Sequence, residues 1–220
     1  MNYLNLVNSV LRRLRESEVT TVQGTGNNNS YARLIGDFIN DAKESIEDAW
    51  SWSVLKQTIT LNTVASTTSY TLTDSKHRFT VEYAYNDTHD GVLAEIPYER
   101  WIDSTSLSAP QTGTVDSYAY NGIDYASDNV KIQVYPVPDS VQTLKFYGTV
   151  RPSRLSADSD TLLIPSRPVI LLATAMAQEE RGEDAGQQSI NAYRIAQSAM
   201  ADAIAFDAAR QPNKTQWYES

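Results

Sequence analysis

The 220-residue chain contains no cysteine. Disulfide staples, thiolate metal sites and a cysteine nucleophile are excluded. Histidine is scarce, with only His77 and His89. Basic charge is in deficit: 18 Lys and Arg stand against 27 Asp and Glu, a formal charge of −9. The deficit is spread out, since residues 1–52 carry 5 basic and 7 acidic side chains, 53–150 carry 6 and 11, and 151–220 carry 7 and 9. A grip on a phosphate backbone needs clustered Lys and Arg. The nearest approach to a cluster, Arg12, Arg13 and Arg15, is followed at once by Glu16 and Glu18. Long hydrophobic runs are also missing. The longest, near Val169–Ala177, is too short to span a bilayer. Met1–Leu11 interleaves Asn2, Asn5, Asn8 and Ser9 with its apolar residues, so no secretion signal is expected and the product is expected to stay in the cytoplasm where it is made.

What is present is enough apolar material for a core, 41% of residues, and a pattern that changes twice along the chain. Leu4, Val7, Leu11 and Leu14 have the spacing of one buried helix face and predict a helix over about 3–16. Val19–Asn29 reads as a Thr/Gly/Asn loop, and Ser30 as the N-cap of a second helix running to about Ser51. Its apolar stripe is Leu34, Ile35, Phe38, Ile39, Ala42, Ile46 and Ala49; Asp37, Asp41, Glu44, Glu47 and Asp48 are expected to form a solvated acidic face. After Trp50–Trp52 the period becomes two. Strands are predicted at Leu55–Leu61, Ser69–Thr73, Phe79–Tyr85, Val92–Ile96, Val115–Tyr120, Val130–Tyr135 and Thr143–Thr149, with a turn at Asn86–Gly91 and a short helix at Pro97–Ser104. Nine of the thirteen tyrosines fall in this block, where strands accept aromatics. Helix returns at Val169–Arg181 behind Pro165–Pro168, stops at Gly182 and the Glu183–Gly186 stretch, and resumes from about Gln188 to Arg210.

The expected fold class is therefore α+β. Residues 1–52 and 160–210 form a four-helix bundle, 53–150 an inserted antiparallel β-sandwich or barrel, and 211–220 an extended tail. In the last helix Ala192, Ala196, Ala199, Ala203 and Phe206 form a heptad-like seam, and Ile190, Tyr193, Met200 and Ile204 a second row. Two apolar rows exceed what one bundle face requires: either both belong to the core of a four-helix bundle, or one meets a neighbouring subunit, for which the alanine seam is the candidate. The tail QPNKTQWYES opens with a proline breaker and ends in Trp217 and Tyr218, residue types that dominate interface hot spots.

No catalytic set emerges. His89 lies between Asp87 and Asp90 in a predicted turn, where short polar residues are ordinary. Asp158, Ser159 and Asp160 resemble part of a calcium loop but lack its glycine and distal glutamate, which favours a capping or loop role. Glu95 and Glu99 could be paired as a glycosidase dyad, yet nothing selects them over the other carboxylates. No cofactor or metal is expected.

The ordered segments YAYNGIDYASDNVKIQVYPVPD, YGTVRPSRLSADSD and LLIPSRPVILLATAMAQEERGED, from Tyr118 to Asp184, resemble the head-to-tail adaptor proteins of short-tailed bacteriophages, of the tail tubular protein A type. The resemblance rests on the I-x-V-Y-P-x-P strand at Ile132–Pro138, the exit at Tyr147–Arg151 with Pro152, and Ile164–Pro165 before the penultimate helix. The first helix and PYERWIDS also fit; Asn27–Asn29 and the Thr-rich stretch 63–73 have no counterpart. The resemblance implies a ring of about twelve copies in the virion neck, between the portal protein and the tail nozzle protein. DNA would pass through its channel without sequence-specific binding, and the β block would face outward or toward tail parts such as fibres. It assigns the tail, with Gln211, Pro212, Asn213, Lys214, Trp217 and Tyr218, to docking on the portal. Two other readings stand beside it: a β-domain binding module for carbohydrate or a host surface, and a virion-associated cell-wall hydrolase.

Overall fold

Asn2 starts the first helix by accepting a hydrogen bond from the Asn5 amide at 3.0 Å, as an N-cap should. In chain order the helices are α1 (Tyr3–Arg13), α2 (Asn27–Ala49), α3 (Tyr98–Ile102), α4 (Ser166–Arg181) and α5 (Gln187–Ala208). The structure, a computed structural model, describes residues 1–24, 27–107, 109–182 and 187–211, with Asn27 and Asn28 described by their backbone alone. The chain divides into two units, Met1–Leu55 with Arg154–Ser220, and Lys56–Ser153.

The first unit is helical. α1 turns Leu6, Val7, Val10 and Leu11 into a core shared with Ile35, Ile39 and Ile46 of α2 and Val169, Ile170 and Ala173 of α4. Gly36 of α2 is needed for this approach, because a methyl group there would meet the Tyr3 hydroxyl. Trp52, buried after α2, donates its indole N–H to the Ile46 carbonyl at 2.8 Å. The loop ahead of α4 closes the start of α1: the Tyr3 amide donates to the Asp160 carbonyl at 2.8 Å and the Leu4 amide to that of Asp158 at 3.3 Å. Asp160 in turn accepts from the Ser156 and Ala157 amides at 2.7 and 2.8 Å. The acidic loop SADSD is thus built to hold a helix end. At its C-terminus α4 stops on Gly182, whose φ of 64° suits glycine.

α2 begins three residues before the expected cap, so Ser30 lies inside its first turn. One member of the expected acidic face is misplaced. Asp37, Asp41 and Asp48 face solvent, but Glu47 is fully buried and ion-paired with an equally buried Lys43 at 3.0 Å. The reason is spacing: Ile35, Ile39, Lys43 and Glu47 stand four apart on one row, and that row points inward.

The second unit carries the strands β1 (Lys56–Asn62), β2 (Ser69–Thr71), β3 (Thr80–Asn86), β4 (Gly91–Val92), β5 (Ala94–Glu95), β6 (Thr112–Gly113), β7 (Ser117–Asp124), β8 (Asn129–Tyr135), β9 (Val137–Pro138) and β10 (Thr143–Thr149). Two four-stranded sheets run β1-β10-β3-β4 and β2-β8-β7-β5; β6 and β9 form a small pair. Most pairings are antiparallel, whereas β5–β7 and β6–β9 are parallel. Ile59, Ala84, Leu144 and Phe146 of the first sheet share a core with Tyr118, Val130, Ile132 and Val134 of the second. The expected strand Val92–Ile96 is two pieces, β4 and β5, in different sheets, with buried Leu93 between them. A buried polar knot pins the loops. The Gln142 side-chain oxygen accepts from the Asn86 amide nitrogen at 2.8 Å and the Val115 N–H at 3.0 Å, and its NH₂ donates to the Gly113 carbonyl at 3.1 Å.

Candidate assembly surface

α5 buries little for its length. Of its 22 residues, only Ser189, Ala196, Ala199 and Asp207 are buried. The alanine seam splits accordingly: Ala196 and Ala199 are closed within the chain, Ala192 and Ala203 are half-buried, and Phe206 is 64% exposed. In the second row Met200 and Ile204 pack on the chain's own helical core, Ile190 is exposed, and the half-buried Tyr193 donates its hydroxyl to Glu179 at 2.6 Å. Ile195, outside both expected rows, is 55% exposed. It stands eleven residues before Phe206, about three turns, and so shares its side of the helix.

The end of α5 is fixed by one carboxylate. Asp207 accepts from the Trp50 indole N–H at 3.0 Å, from the Ser53 amide at 3.0 Å, from the Ser53 hydroxyl at 2.5 Å and from the Gln211 side chain at 2.8 Å. Burial pulls its pKa up, but the hydrogen bonds from Ser53, Trp50 and Gln211 outweigh burial and hold it below the ordinary carboxylate value. The bonds also offset the unfavourable placement of an acid at a helix C-terminus. Gln211 donates as well to the Ser51 carbonyl at 2.9 Å. The first residue of the expected docking tail is therefore tied to the helical unit; Pro212, Asn213, Lys214, Trp217 and Tyr218 lie outside the described residues.

Beside this knot is a pocket of about 510 Å³, lined by apolar side chains that include Val54, Leu163, Ala203 and Phe206, with Arg167, Asp202, Asp207 and Arg210 among the polar ones. The Arg210 guanidinium lies 4.3 Å over the Phe206 ring. A second, polar pocket of about 400 Å³ gathers Arg13, Arg15 and Arg181 at the end of α1. Glu16 pairs with Arg181 at 2.6 Å, and Glu18 pairs with Arg12, the residue before Arg13, at 2.9 Å.

Among the described residues no group of three or more His, Asp and Glu side chains is placed to hold a metal ion. His77 meets Asp128 at 3.0 Å, with both side chains half-exposed. Glu95 accepts a hydrogen bond from Tyr118 at 3.3 Å, and burial pushes the Tyr118 hydroxyl pKa up. Among the described residues no helix is long and apolar enough to cross a membrane. Asp207 and Ile195 were not singled out from the sequence. The local sequence carries only one sign of Asp207, an acid placed at the C-terminal end of a helix.

What this surface offers is contact area, as expected of a protein that serves as a building block. A family model described as SU10 adaptor protein matches residues 1–216, and the chain belongs to that family, which makes it a structural adaptor protein of a phage and a component of the virion. No curated protein matches the chain.

Proposed function

We propose that this chain is the head-to-tail adaptor of a short-tailed phage, of the tail tubular protein A kind. Copies of it form a ring, about twelve strong, in the virion neck between the portal and the tail nozzle. The family match across 1–216 carries the reading. Exposed Ile195 and Phe206 on α5 support it, because a ring needs apolar surface that the single chain leaves uncovered. In this reading α1, α2, α4 and α5 act as a four-helix bundle. Ala192, Ala203 and Phe206 contact the next copy, while Ala196 and Ala199 allow the close approach of α5 to α4 that presents them. The two sheets act as a sandwich facing nozzle or fibres, and the tail from Gln211 onward docks on the portal. Net negative charge lets DNA slide through the channel without sticking. The chain performs no catalysis.

Native mass spectrometry of the chain mixed with its portal protein tests this. The expected result is a ring-sized complex with the portal. A chain that stays monomeric and ignores the portal would overturn the proposal. Removing residues 212–220, which spares the Gln211 bonds, is expected to leave the helical unit folded and to weaken portal docking.

A further inference from the structure

The pocket at the end of α5 has the chemistry of a receptor for an aromatic side chain. Its rim exposes Val54 (49%), Leu163 (45%) and Phe206. The Asp202 carboxylate and Arg167 guanidinium supply an acceptor and a donor among these apolar walls. Tryptophan and tyrosine are the side chains that combine a large apolar body with one polar edge. A volume of about 510 Å³ lies inside the ~300–1,000 Å³ typical of sites that enclose such groups.

We propose that this pocket receives the chain's own Trp217–Tyr218 pair, so that each copy holds its tail against its own helical unit. The argument for that occupant is where the described chain ends and how much chain follows. Gln211 is bonded to Asp207, a pocket residue, and Arg210 before it is another. The tail therefore departs from the rim. Trp217 follows six residues later, within ~20 Å of contour at ~3.3 Å per residue. A tether that short gives an effective concentration of order mM, above what a separate copy presents at micromolar protein. Any partner that binds the tail must then compete with the pocket for it. The contact itself does not require a ring or a portal, so it stands or falls apart from the adaptor reading.

A cross-linking experiment decides it, helped by the absence of native cysteine. The full-length Val54→Cys/Tyr218→Cys protein is oxidised mildly at several micromolar-range concentrations, and its products are separated without reductant. The expected product is an internally bridged monomer that forms at a rate independent of concentration. Adding Trp217→Ala, which alters no described contact, is expected to slow bridging by about tenfold, a loss of ~1.4 kcal/mol of docking. Ala203→Phe, which narrows the pocket, is expected to slow it likewise, with the melting curve checking that the fold persists. Bridged dimers in place of monomers would overturn the proposal in favour of a second copy's pocket. So would bridging indifferent to Trp217, which would reduce the contact to tether proximity.

Discussion

Two helices of nearly equal length, α2 with 23 residues and α5 with 22, use their side chains in opposite ways. α2 buries so much of itself that a lysine and a glutamate go inside with its isoleucines. α5 buries two alanines, a serine and an aspartate, and leaves two isoleucines, Ile190 and Ile195, and a phenylalanine in water. Full burial of an isoleucine stabilises by about 1.5–3 kcal/mol, and an alanine buries far less area. The difference teaches that the unit's stability is concentrated away from α5. That helix is held at its end by polar bonds, and its outer surface is left exposed.

The largest effect that sharpens this contrast is at the buried pair in α2. Glu47→Ala strands the Lys43 ammonium in the core and is expected to cost about 3–5 kcal/mol. The double change Lys43→Met/Glu47→Leu keeps the volume and removes both charges, so it is expected to recover most of that loss. Urea unfolding of the three proteins measures it. A single variant as stable as the parent would mean that the row is not closed off from solvent.

Next in size is the knot at the end of α5. Asp207→Ala leaves the Trp50 indole N–H and the Ser53 amide without their acceptor, and is expected to cost about 1–3 kcal/mol. The carboxylate also makes this stability pH-dependent. Its folded pKa lies below its unfolded value of about 3.9, so the unfolded chain takes up the proton first. The contribution is complete above about pH 5 and is lost as pH falls through the lowered folded value. The stability gap between the parent and Asp207→Asn should be widest near neutrality and close below about pH 4. A gap that stays constant from pH 7 to pH 3 would show that the charge is not what holds the knot.

The same contrast explains what the sequence discloses. α1, α2, α4 and α5 follow from the 3.6-residue spacing of their apolar positions. The change at Trp52 to period two marks the strands, most of them to within two or three residues. Glu47 was hidden because an acid among Asp41, Glu44 and Asp48 reads as surface; only tracing the four-residue row from Ile35 puts it inside. The break of Val92–Ile96 into β4 and β5 was hidden because both pieces carry the same alternation, and the change of sheet depends on pairing partners far along the chain. On α5 the seam was legible as a pattern, but which alanines the chain itself covers depends on α4, which spacing within one helix does not encode. The Asp207 knot joins residues more than 150 positions apart, beyond the reach of any local motif.

The smallest expected effect on the fold falls on Ile195 of α5, and it separates assembly from both folding and tail docking. Ile195 is 55% exposed, so Ile195→Asp is expected to change unfolding free energy by no more than about 0.5 kcal/mol. It lies about 16 Å along the helix from Phe206 at ~1.5 Å per residue. It is also absent from the pocket lining, so cross-linking of the tail cysteine to position 54 should be unchanged. If this side of α5 meets the next copy, a carboxylate placed there loses an apolar contact and must be desolvated, which costs an interface more than about 1 kcal/mol and at least fivefold in association. Sedimentation of the parent and the variant with the portal protein reads that loss directly. A variant that assembles like the parent would remove α5 from the copy-to-copy contact. One that melts well below the parent would show that Ile195 serves the fold, and the contrast between α2 and α5 would then be one of degree.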